Sequence, residues 1–517
     1  DDAFVIKGTQ SITANGTTFN QIAHVDAKGG AAASGIDTVS GSNTWNLLAA
    51  GFESSGIRFI NTEMANSSAN GSLNGTELKD EFMIIGNQSV IANGTTFNQV
   101  ASIDAKDSSG TNELDTVSGS SIWTLLSDGF ESTGIRFTHI EIANSGSAGK
   151  LNGIKGSQSV AANGTTFNQV VDVDARDASS FGGMDTVSGS NTWDLLSVGF
   201  SAEDIHFTNT EVANSEELGT VNGTEFNDEF VISGIQSVKA NGTTFNQVSK
   251  VDAKNNTLGQ FDTVSGSNAW DILSNGFKAS AINFFNVEVA NSGAAGLVNG
   301  TELKDEFEIT GTQSVAINGI TFNQITQVDA KGNTVEGEFD TVSGSNTWDL
   351  LSEGFKASEI SFLNTEVANS GNKGSINGTS NTDEFYLAGL QSVTVNNTTF
   401  NQVTSVNAKA GDNKLVGMET ADEFNLFSTS SAAGSNKVTS QEIDFASITH
   451  IDGGTGENRV RGSAGSDSFQ LTDTRQELIS NNMTFNNIQA VVAADGEDNL
   501  IGQDGQRWQV SNIDNTI

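Results

Sequence analysis

The sequence predicts an all-β fold, a right-handed parallel β-solenoid (β-helix) built from about six tandem repeats of 70–78 residues. The first observation is a heptapeptide, NGTTFNQ, that begins at Asn15 and returns with little change along most of the 517-residue chain. The second is the absence of proline beside 56 glycines, and the third is the alternation of apolar and polar residues over short segments. Together they favour many short strands joined by tight turns.

The heptapeptide sets the length of the repeat. Its turn residue recurs at spacings of 78, 70, 78, 77 and 78 residues, at Gly16, Gly94, Gly164, Gly242, Gly319 and Asn397. Each repeat divides again into two similar halves of about 38 residues, each too small to close its own core. Neighbouring units must therefore stack, and one turn of the coil is expected to take either about 19 residues or a whole half-repeat. A six-bladed propeller is the competing architecture.

The missing proline favours the solenoid over the propeller. At an average content of about 5%, a chain of this length would carry about 26 prolines. Proline has no backbone N–H to donate, so an uninterrupted β-ladder excludes it, whereas the surface loops of a propeller do not. Pairs such as Asn15-Gly16 are typical of tight turns with both residues at positive φ. This turn interpretation is also favoured over glycosylation for the Asn-Gly-Thr sequons.

The repeats predict two segments along the chain. Residues 1–420 form the tandem-repeat β-solenoid, and the pattern changes after that. Residues 421–517 are predicted to be a divergent solenoid end that could act as a cap or as an assembly end.

Charge excludes several classes of partner. The formal net charge is −39 and the isoelectric point is near 4.1, which argues against binding to nucleic acid or to an anionic membrane. No apolar run reaches the ~18 residues of a membrane span, so no membrane insertion is expected. The chain has no cysteine and begins at Asp1-Asp2, which suggests a mature or excised segment. An acidic surface of this kind attracts cations.

Two consecutive nonapeptides, GGTGENRVR from Gly453 and GSAGSDSFQ from Gly462, resemble the calcium-binding repeats of RTX proteins. A weaker match to the same pattern, AADGEDNLIGQDG, begins at Ala493. The resemblance implies calcium as a possible cofactor, bound by carbonyl groups of the glycine turns and by the sixth-position carboxylate. It places apolar Val460 and Phe469 in the core. The candidate calcium ligands on this basis are Asp452, Gly454, Gly456, Asn458, Asp467, Asp495 and Asp498.

The order of motifs along each repeat is similar to that in the repeat regions of large bacterial surface adhesins and haemagglutinin-like exoproteins. It shows Phe19, then Val25-Asp26, then DTVSG from Asp37, and later an Asp-x-Phe element at Asp80. The resemblance implies a secreted, elongated, multi-repeat surface protein.

A recurring aspartate heads each DTVSGS segment and is a second, weaker calcium candidate. Five copies at repeat spacing cannot form one aspartic-protease dyad, so the alternatives are a backbone-capping turn residue and a calcium ligand. These aspartates are Asp37, Asp115, Asp185, Asp262 and Asp340.

Aromatic and histidine residues are predicted to be structural. The recurring tryptophans, with Phe424 in the sixth place, are interpreted as core or corner packing because a carbohydrate-stacking row would need rings on adjacent turns. These tryptophans are Trp45, Trp123, Trp193, Trp270 and Trp348. The four histidines, His24, His139, His206 and His450, are expected to face solvent and to take no part in catalysis.

These observations favour an extracellular or cell-surface structural or adhesive protein, such as a stalk, a filament subunit or a biofilm-matrix scaffold. We expect no enzymatic activity, self-association into filaments or longer arrays, and a possible cell-surface or polysaccharide ligand. The alternative is a polysaccharide-degrading enzyme, a lyase or phage depolymerase, on the same scaffold. It would use the irregular region 412–475, with Asp452, Arg459, Arg461 and Asp467.

Overall fold

The structure is a computed structural model that describes residues 2–28, 35–106, 114–126, 128–152, 159–175, 184–254, 259–332, 335–427 and 436–504. Over these ranges the chain is all-β and contains no helix, so none is long and apolar enough to cross a membrane. It forms a parallel β-solenoid of about 15 turns of roughly 31 residues each. The predicted fold class is confirmed, and the propeller is wrong.

The chain divides into two compact units, Asp1–Gln260 and Phe261–Ile517. This division falls elsewhere than the predicted change of pattern at residue 420, and the assignment of 421–517 as a divergent end stays a prediction.

The first unit contains β1 to β26. Their bounds are β1 Ala3–Gly8, β2 Ser11–Ala14, β3 Thr17–Asn20, β4 His24–Asp26, β5 Thr38–Ser40, β6 Thr44–Leu47, β7 Phe52–Ser54, β8 Ile57–Ile60, β9 Met64–Asn74, β10 Glu81–Gly86, β11 Ser89–Ala92, β12 Thr95–Asp104, β13 Thr116–Leu126, β14 Gly129–Ser132, β15 Ile135–Thr138, β16 Ile142–Asn152, β17 Ser159–Ala162, β18 Thr165–Asp174, β19 Thr186–Ser188, β20 Thr192–Leu195, β21 Phe200–Ala202, β22 Ile205–Thr208, β23 Val212–Asn222, β24 Glu229–Gly234, β25 Ser237–Ala240 and β26 Thr243–Asp252.

The second unit contains β27 to β51. Their bounds are β27 Thr263–Leu273, β28 Gly276–Ala279, β29 Ile282–Phe285, β30 Val289–Asn299, β31 Glu306–Gly311, β32 Ser314–Ile317, β33 Ile320–Asp329, β34 Thr341–Leu350, β35 Phe355–Ala357, β36 Ile360–Leu363, β37 Val367–Asn377, β38 Glu384–Gly389, β39 Ser392–Val395, β40 Thr398–Asn407, β41 Lys414–Val416, β42 Glu423–Leu426, β43 Lys437–Ser440, β44 Ile443–Ala446, β45 His450–Asp452, β46 Arg459–Arg461, β47 Ser468–Leu471, β48 Leu478–Ser480, β49 Met483–Asn486, β50 Ala490–Val492 and β51 Asn499–Ile501.

The long strands bend, so that each contributes to two hydrogen-bonded ladders. In β9, Ala65 and Leu73 face inward on either side of the exposed residues 68–70. The half before the bend lies in ladder 1, and the half after the bend lies in ladder 2. Near the start of the chain, ladder 1 runs through Val39, Ala65, Phe97, Val90 and Ile84. Ladder 2 runs through Trp45, Leu73, Ile103, Phe137 and Phe130.

Antiparallel hairpins within the ladders explain why both predicted turn lengths are wrong. Strands β10 and β11 and the first half of β12 form a meander in ladder 1. The second half of β13 with β14 and β15 forms another in ladder 2. Between meanders the strands stack in parallel, with Phe82 on Val117 and Val117 on Ala143. A hairpin adds strands to a ladder without completing a turn, so the turn does not coincide with the half-repeat.

The inward residues form a recurring aromatic core. The five recurring tryptophans are fully buried, which confirms their predicted packing role. In the first repeat Trp45 packs edge-on against Phe52 at 5.6 Å between ring centroids, and Phe52 stacks on Phe59 at 5.2 Å. Burial of such rings is the main source of stability in a fold with short strands.

The heptapeptide comprises a hairpin turn, a strand and a corner. In its second copy Asn93 and Gly94 both have positive φ, 48° and 77°, as the turn interpretation predicts. Phe97 enters the core, and the Asn98 side chain donates to Asn66 Oδ1 at 2.9 Å along ladder 1. Gln99, at φ 57°, forms the bend that carries β12 into ladder 2.

Candidate functional site

Four of the five DTVSGS aspartates, Asp37, Asp115, Asp262 and Asp340, are buried between stacked turns, and Asp185 is half-buried. Asp115 and Asp340 are fully buried, and each accepts a hydrogen bond at Oδ1 from the backbone N–H of an aspartate in a neighbouring turn. The donors are Asp80, at 2.6 Å, and Asp305, at 2.7 Å. Asp37 does the same for Asp2 at 2.6 Å. We call this place in the stack the turn-acceptor position.

Two candidates from the RTX-like region occupy the same turn-acceptor position. Asn458 Oδ1 accepts from the Asp422 N–H at 2.9 Å, and Asp498 Oδ1 accepts from the Asp467 N–H at 2.8 Å. Asn413, which the sequence interpretation did not single out, accepts from the Asp383 N–H at 2.9 Å. Asn458 and Asp498 therefore belong to one structural series with Asp37, Asp115 and Asp340, although sequence analysis treated the two groups separately.

A second series of aspartates caps the turns. Each accepts the backbone N–H of the residue four positions earlier at Oδ2, at 2.6 or 2.7 Å, as a side-chain acceptor in a turn does. The members are Asp80, Asp228, Asp305, Asp383, Asp422 and Asp467. Burial raises the pKa of Asp305, and the hydrogen bonds from Thr301 only partly offset this. The adjacent glutamates, such as Glu306, face outward, as the alternation predicts.

Glutamates that sequence reasoning missed complete the network. Each accepts the backbone N–H of a DTVSGS aspartate at 2.7 or 2.8 Å, so that the carboxylates alternate with backbone donors. They pair Glu63 with Asp37, Glu141 with Asp115, Glu211 with Asp185, Glu288 with Asp262 and Glu366 with Asp340. Their recurrence directly before an apolar residue and Ala-Asn was the available signal.

The RTX-like glycines adopt the backbone conformation that their turns require. Gly454 and Gly456 have φ of 71° and 103°. A Cβ on Gly456 would lie 2.7 Å from the carbonyl carbon of Thr420, because the two turns stack closely. This requirement is structural and holds with or without a cation.

The remaining RTX-like candidates differ in their surroundings. Asp452 Oδ1 accepts from Asn487 at 2.7 Å and from the Gly454 N–H at 3.1 Å, and Lys414 Nζ lies 3.6 Å from Oδ2. Burial alone would raise the pKa of Asp452, but these hydrogen bonds and the Lys414 charge outweigh it and lower the pKa. Asp467 is 2% exposed, and its buried Oδ1 has no hydrogen-bond partner among the described residues. Asp495 is exposed.

The surroundings of the turn-acceptor position are rich in carbonyl oxygens. The Asn413 side-chain nitrogen donates to the carbonyls of Ala408, Lys409 and Ser447 at 3.0–3.3 Å. The Asn458 side-chain nitrogen donates to two carbonyls at 3.3 Å. Within the described ranges no three acidic, histidine or cysteine side chains converge on a common point. A cation at these turns would therefore depend on backbone carbonyls.

Polar surface cavities lie beside the heptapeptide turns. One of about 530 Å³ is lined by Glu353, Thr365, Glu366 and Asn396, and one of about 470 Å³ lies at the corresponding place in an earlier repeat. Thr365 Oγ1 is buried and has no hydrogen-bond partner in the described structure. Ile140 takes its place in the earlier cavity, while Thr62 and Thr210 carry the same buried hydroxyl at the corresponding position of two other repeats.

The residues proposed for the enzyme alternative have separate surroundings. Arg459 pairs with Glu423, Asp452 contacts Lys414, and Asp467 is buried beneath its own turn. All four histidines are exposed, as predicted.

Comparison with protein-family models, with curated proteins and with solved structures found no match to this chain. The resemblances to RTX repeats and to bacterial adhesins therefore rest on short motifs, and what the structure establishes is a repeat-based β-solenoid.

Proposed function

We propose that this chain is an extracellular structural or adhesive scaffold, such as a stalk, a filament subunit or a component of a biofilm matrix. One observation carries the proposal. Residue types that are common in catalytic and binding sites recur in repeat after repeat, and here they have structural roles. Aspartates cap turns, glutamates accept backbone N–H groups, and tryptophans fill the core. A site repeated in this way supports a stack of turns better than it supports one reaction centre.

Charge and repetition support the location and the mode of action. A net charge of −39 keeps copies apart at low ionic strength and makes association depend on cations. The polar cavities beside the heptapeptide turns are suitable places for hydroxyl groups of a cell-surface or polysaccharide ligand. Because they recur, weak individual contacts would add up along a polymeric ligand.

We also propose that calcium stabilises the turns. Calcium takes carboxylate and backbone carbonyl oxygens together. The buried Asp467 Oδ1 fits such a ligand set. At Asn413 the amide nitrogen fills the place of a cation, and its three carbonyl partners show which oxygens a cation would meet at a turn-acceptor position held by aspartate. When bound, calcium would join successive turns through residues at the turn-acceptor and turn-capping positions.

Electron microscopy of the purified chain tests the structural role. A scaffold is expected to appear as filaments or as uniform single particles in calcium, with the assembly altered by a chelator. Incubation with bacterial polysaccharides provides the decisive contrast. A scaffold leaves the viscosity of the solution unchanged, and a progressive fall in viscosity would contradict the proposal and establish a degrading enzyme.

A further inference from the structure

The cavity of about 530 Å³ beside the last heptapeptide is walled by three segments of the stack, and we call it the Thr365 cavity. The segments are the turn between β34 and β35, the corner that follows β36, and the hairpin turn between β39 and β40. Two carboxylates, from Glu353 and Glu366, lie in this wall, and none of the described residues that line it is basic. Cavities of this size commonly bind small molecules.

Three side-chain donors in the wall are already used by the fold. The Asn396 side chain donates to the Leu351 carbonyl at 3.0 Å, and Thr398 Oγ1 donates to the Thr365 carbonyl at 2.7 Å. The Asn364 side chain donates to an aspartate at the end of β33 at 2.7 Å. The wall therefore offers a ligand mainly acceptors, and it favours a ligand that donates hydrogen bonds. An ammonium group, with three donors and no acceptor, is the strongest ligand of this kind.

A buried hydroxyl adds a second requirement. Thr365 lines the cavity and is 5% exposed, and its buried Oγ1 has no hydrogen-bond partner in the described structure. A buried hydroxyl without a partner costs free energy, which a hydrogen bond from a bound molecule would recover. A ligand that carries hydroxyl groups beside its ammonium group meets both requirements.

The preceding repeat shows that the fold does not need these polar groups. Its corresponding corner has the same strands, with Val287 buried in the place of the threonine. In that repeat Asn275 replaces Glu353, Val287 replaces Thr365, and Ile320 replaces Thr398. Because the corner forms with apolar residues at two of these places, the hydroxyl and the carboxylate of the Thr365 cavity are not required for folding.

The two carboxylates are unsuited to holding a metal ion by themselves. Glu353 is exposed, and Glu366 Oε2 already accepts the Asp340 N–H at 2.8 Å. Among the residues that the structure describes, no three acidic, histidine or cysteine side chains converge. An organic cation needs no such convergence, because each of its donors can pair with a separate acceptor.

We propose that the Thr365 cavity binds an amino sugar of a cationic polysaccharide. The proposal rests on the proposed scaffold function and names the class of its polysaccharide ligand. The protonated amine pairs with the Glu353 and Glu366 carboxylates, a ring hydroxyl pairs with Thr365 Oγ1, and Leu363 contacts an apolar face of the ring. The net charge of −39 attracts such a polymer and repels acidic polysaccharides.

Hydrogen exchange of the full chain, read by mass spectrometry, locates the binding. The probe is a β-1,4-linked glucosamine tetramer at mildly acidic pH, where its amines are protonated. The N-acetylated tetramer has the same rings without the charges, and spermine has charges without sugar hydroxyls. We expect the glucosamine tetramer to slow exchange in segment 351–366 at concentrations that leave segment 273–288, the corresponding part of the preceding repeat, unchanged. The acetylated tetramer should need about tenfold more for the same effect.

Two variants test the contacts. Thr365→Val removes only the hydroxyl, copies the natural residue of the preceding repeat and should weaken tetramer binding about threefold to tenfold. Glu353→Gln removes one carboxylate charge and should weaken it about tenfold. Glu419→Gln makes the same charge change at an exposed residue outside the cavity and should bind as wild type. Thermal unfolding confirms that each variant is folded.

The outcomes separate this site from the scaffold function. Protection of segment 351–366 that both variants weaken supports the proposal. Absence of protection, equal binding by Thr365→Val and wild type, or equal protection by the acetylated tetramer or by spermine overturns it, while filaments in the electron microscope would still support the scaffold. A fall in the viscosity of a glucosamine polymer would instead overturn the scaffold function and leave the binding site in place.

Discussion

At the scale of single residues, each buried tryptophan depends on a serine from a neighbouring strand. The Trp270 indole N–H donates to Ser292 Oγ at 2.8 Å, and both residues are buried. Four further Trp–Ser pairs have distances of 2.8–3.0 Å. In the sixth place Phe424 replaces the tryptophan and Gly453 takes the position of the serine. Both partners therefore disappear together, as expected where a buried donor cannot be left without an acceptor.

A double-mutant cycle tests this pairing. Ser292→Ala leaves a buried indole N–H without its acceptor and is expected to cost about 1–3 kcal/mol of local stability. In a Trp270→Phe background the same change should cost less than about 1 kcal/mol, because no donor remains. Hydrogen exchange of the β30 amides measures the local opening free energy. Equal costs in both backgrounds would contradict the pairing.

The two kinds of aspartate are expected to respond to pH in opposite directions. Burial raises the pKa of Asp305, so its contribution to stability is full below the unfolded value of 3.8 and is lost as the pH rises through the folded pKa. Asp305→Asn should therefore gain stability relative to wild type between pH 3.8 and neutrality. Local exchange in β31 at several pH values measures the difference.

Asp452 is expected to show the opposite pH dependence to Asp305. Its pKa is lowered, so its contribution is present above pH 3.8 and is lost as the pH falls through the folded pKa. Asp452→Asn should lose most stability at neutral pH, and the loss should shrink in acid. Parallel pH profiles for the two variants would show that burial and hydrogen bonding do not set these pKa values.

Single-residue roles were predictable where the spacing of a residue type and the residues at the same place in other repeats decide them. The tryptophans could be placed in the core and the histidines on the surface from their spacing and from the polar character of sibling positions. The joint role of Asp115 and Asn458 was not predictable, because the equivalence follows from which turn stacks on which. Sequence similarity between a DTVSGS segment and an RTX-like turn is too low to show it.

At the scale of elements, the hairpin turns differ in how well their residues suit them. The turn between β35 and β36 places Ser358 and Glu359 at φ 47° and 65°. Left-handed conformations cost about 1–2 kcal/mol for residues other than glycine. The corresponding turn of the first repeat has Gly56 at the second position. Replacing Ser358-Glu359 with Asn-Gly should therefore stabilise this hairpin by about 1 kcal/mol, after the entropy cost of glycine.

Removal of a glycine from a different hairpin turn provides the control. Gly319 has φ 79°, and a Cβ there would meet nothing within 4 Å. Gly319→Ala should thus destabilise the β32–β33 hairpin through backbone conformation alone, by about 1 kcal/mol. Amide exchange of the flanking strands measures both changes. An Asn-Gly turn that left exchange unchanged would contradict the argument.

The order of strands was harder to predict than their existence. Alternation and Asn-Gly pairs identify the hairpins, and six copies of one heptapeptide fix the repeat. The turn length was wrong because the sequence does not show that β10, β11 and the first half of β12 fold back within one ladder. That choice depends on pairing between distant strands, such as Ala65 with Phe97.

At the scale of the whole molecule, repulsion between like charges destabilises the fold, and cations should reduce that repulsion. With 63 acidic and 24 basic residues, like charges repel throughout the chain. Sodium chloride should raise the thermal midpoint by screening this repulsion, whose range falls to about 8 Å at 0.15 M ionic strength. Calcium bound at the turns should add to this at equal ionic strength. A site filled at a hundred times its Kd would contribute about 2.7 kcal/mol.

Asp340→Asn separates bound calcium from screening. Asparagine already occupies the turn-acceptor position at Asn413, so the variant should fold and keep its response to sodium while losing part of the calcium-specific gain. Asp412→Asn makes the same charge change at an exposed residue and should behave as wild type. Thermal unfolding in calcium chloride, in sodium chloride of equal ionic strength and in chelator measures all three chains. Identical curves in the two salts, or equal losses in both variants, would show that calcium acts only as a screening ion.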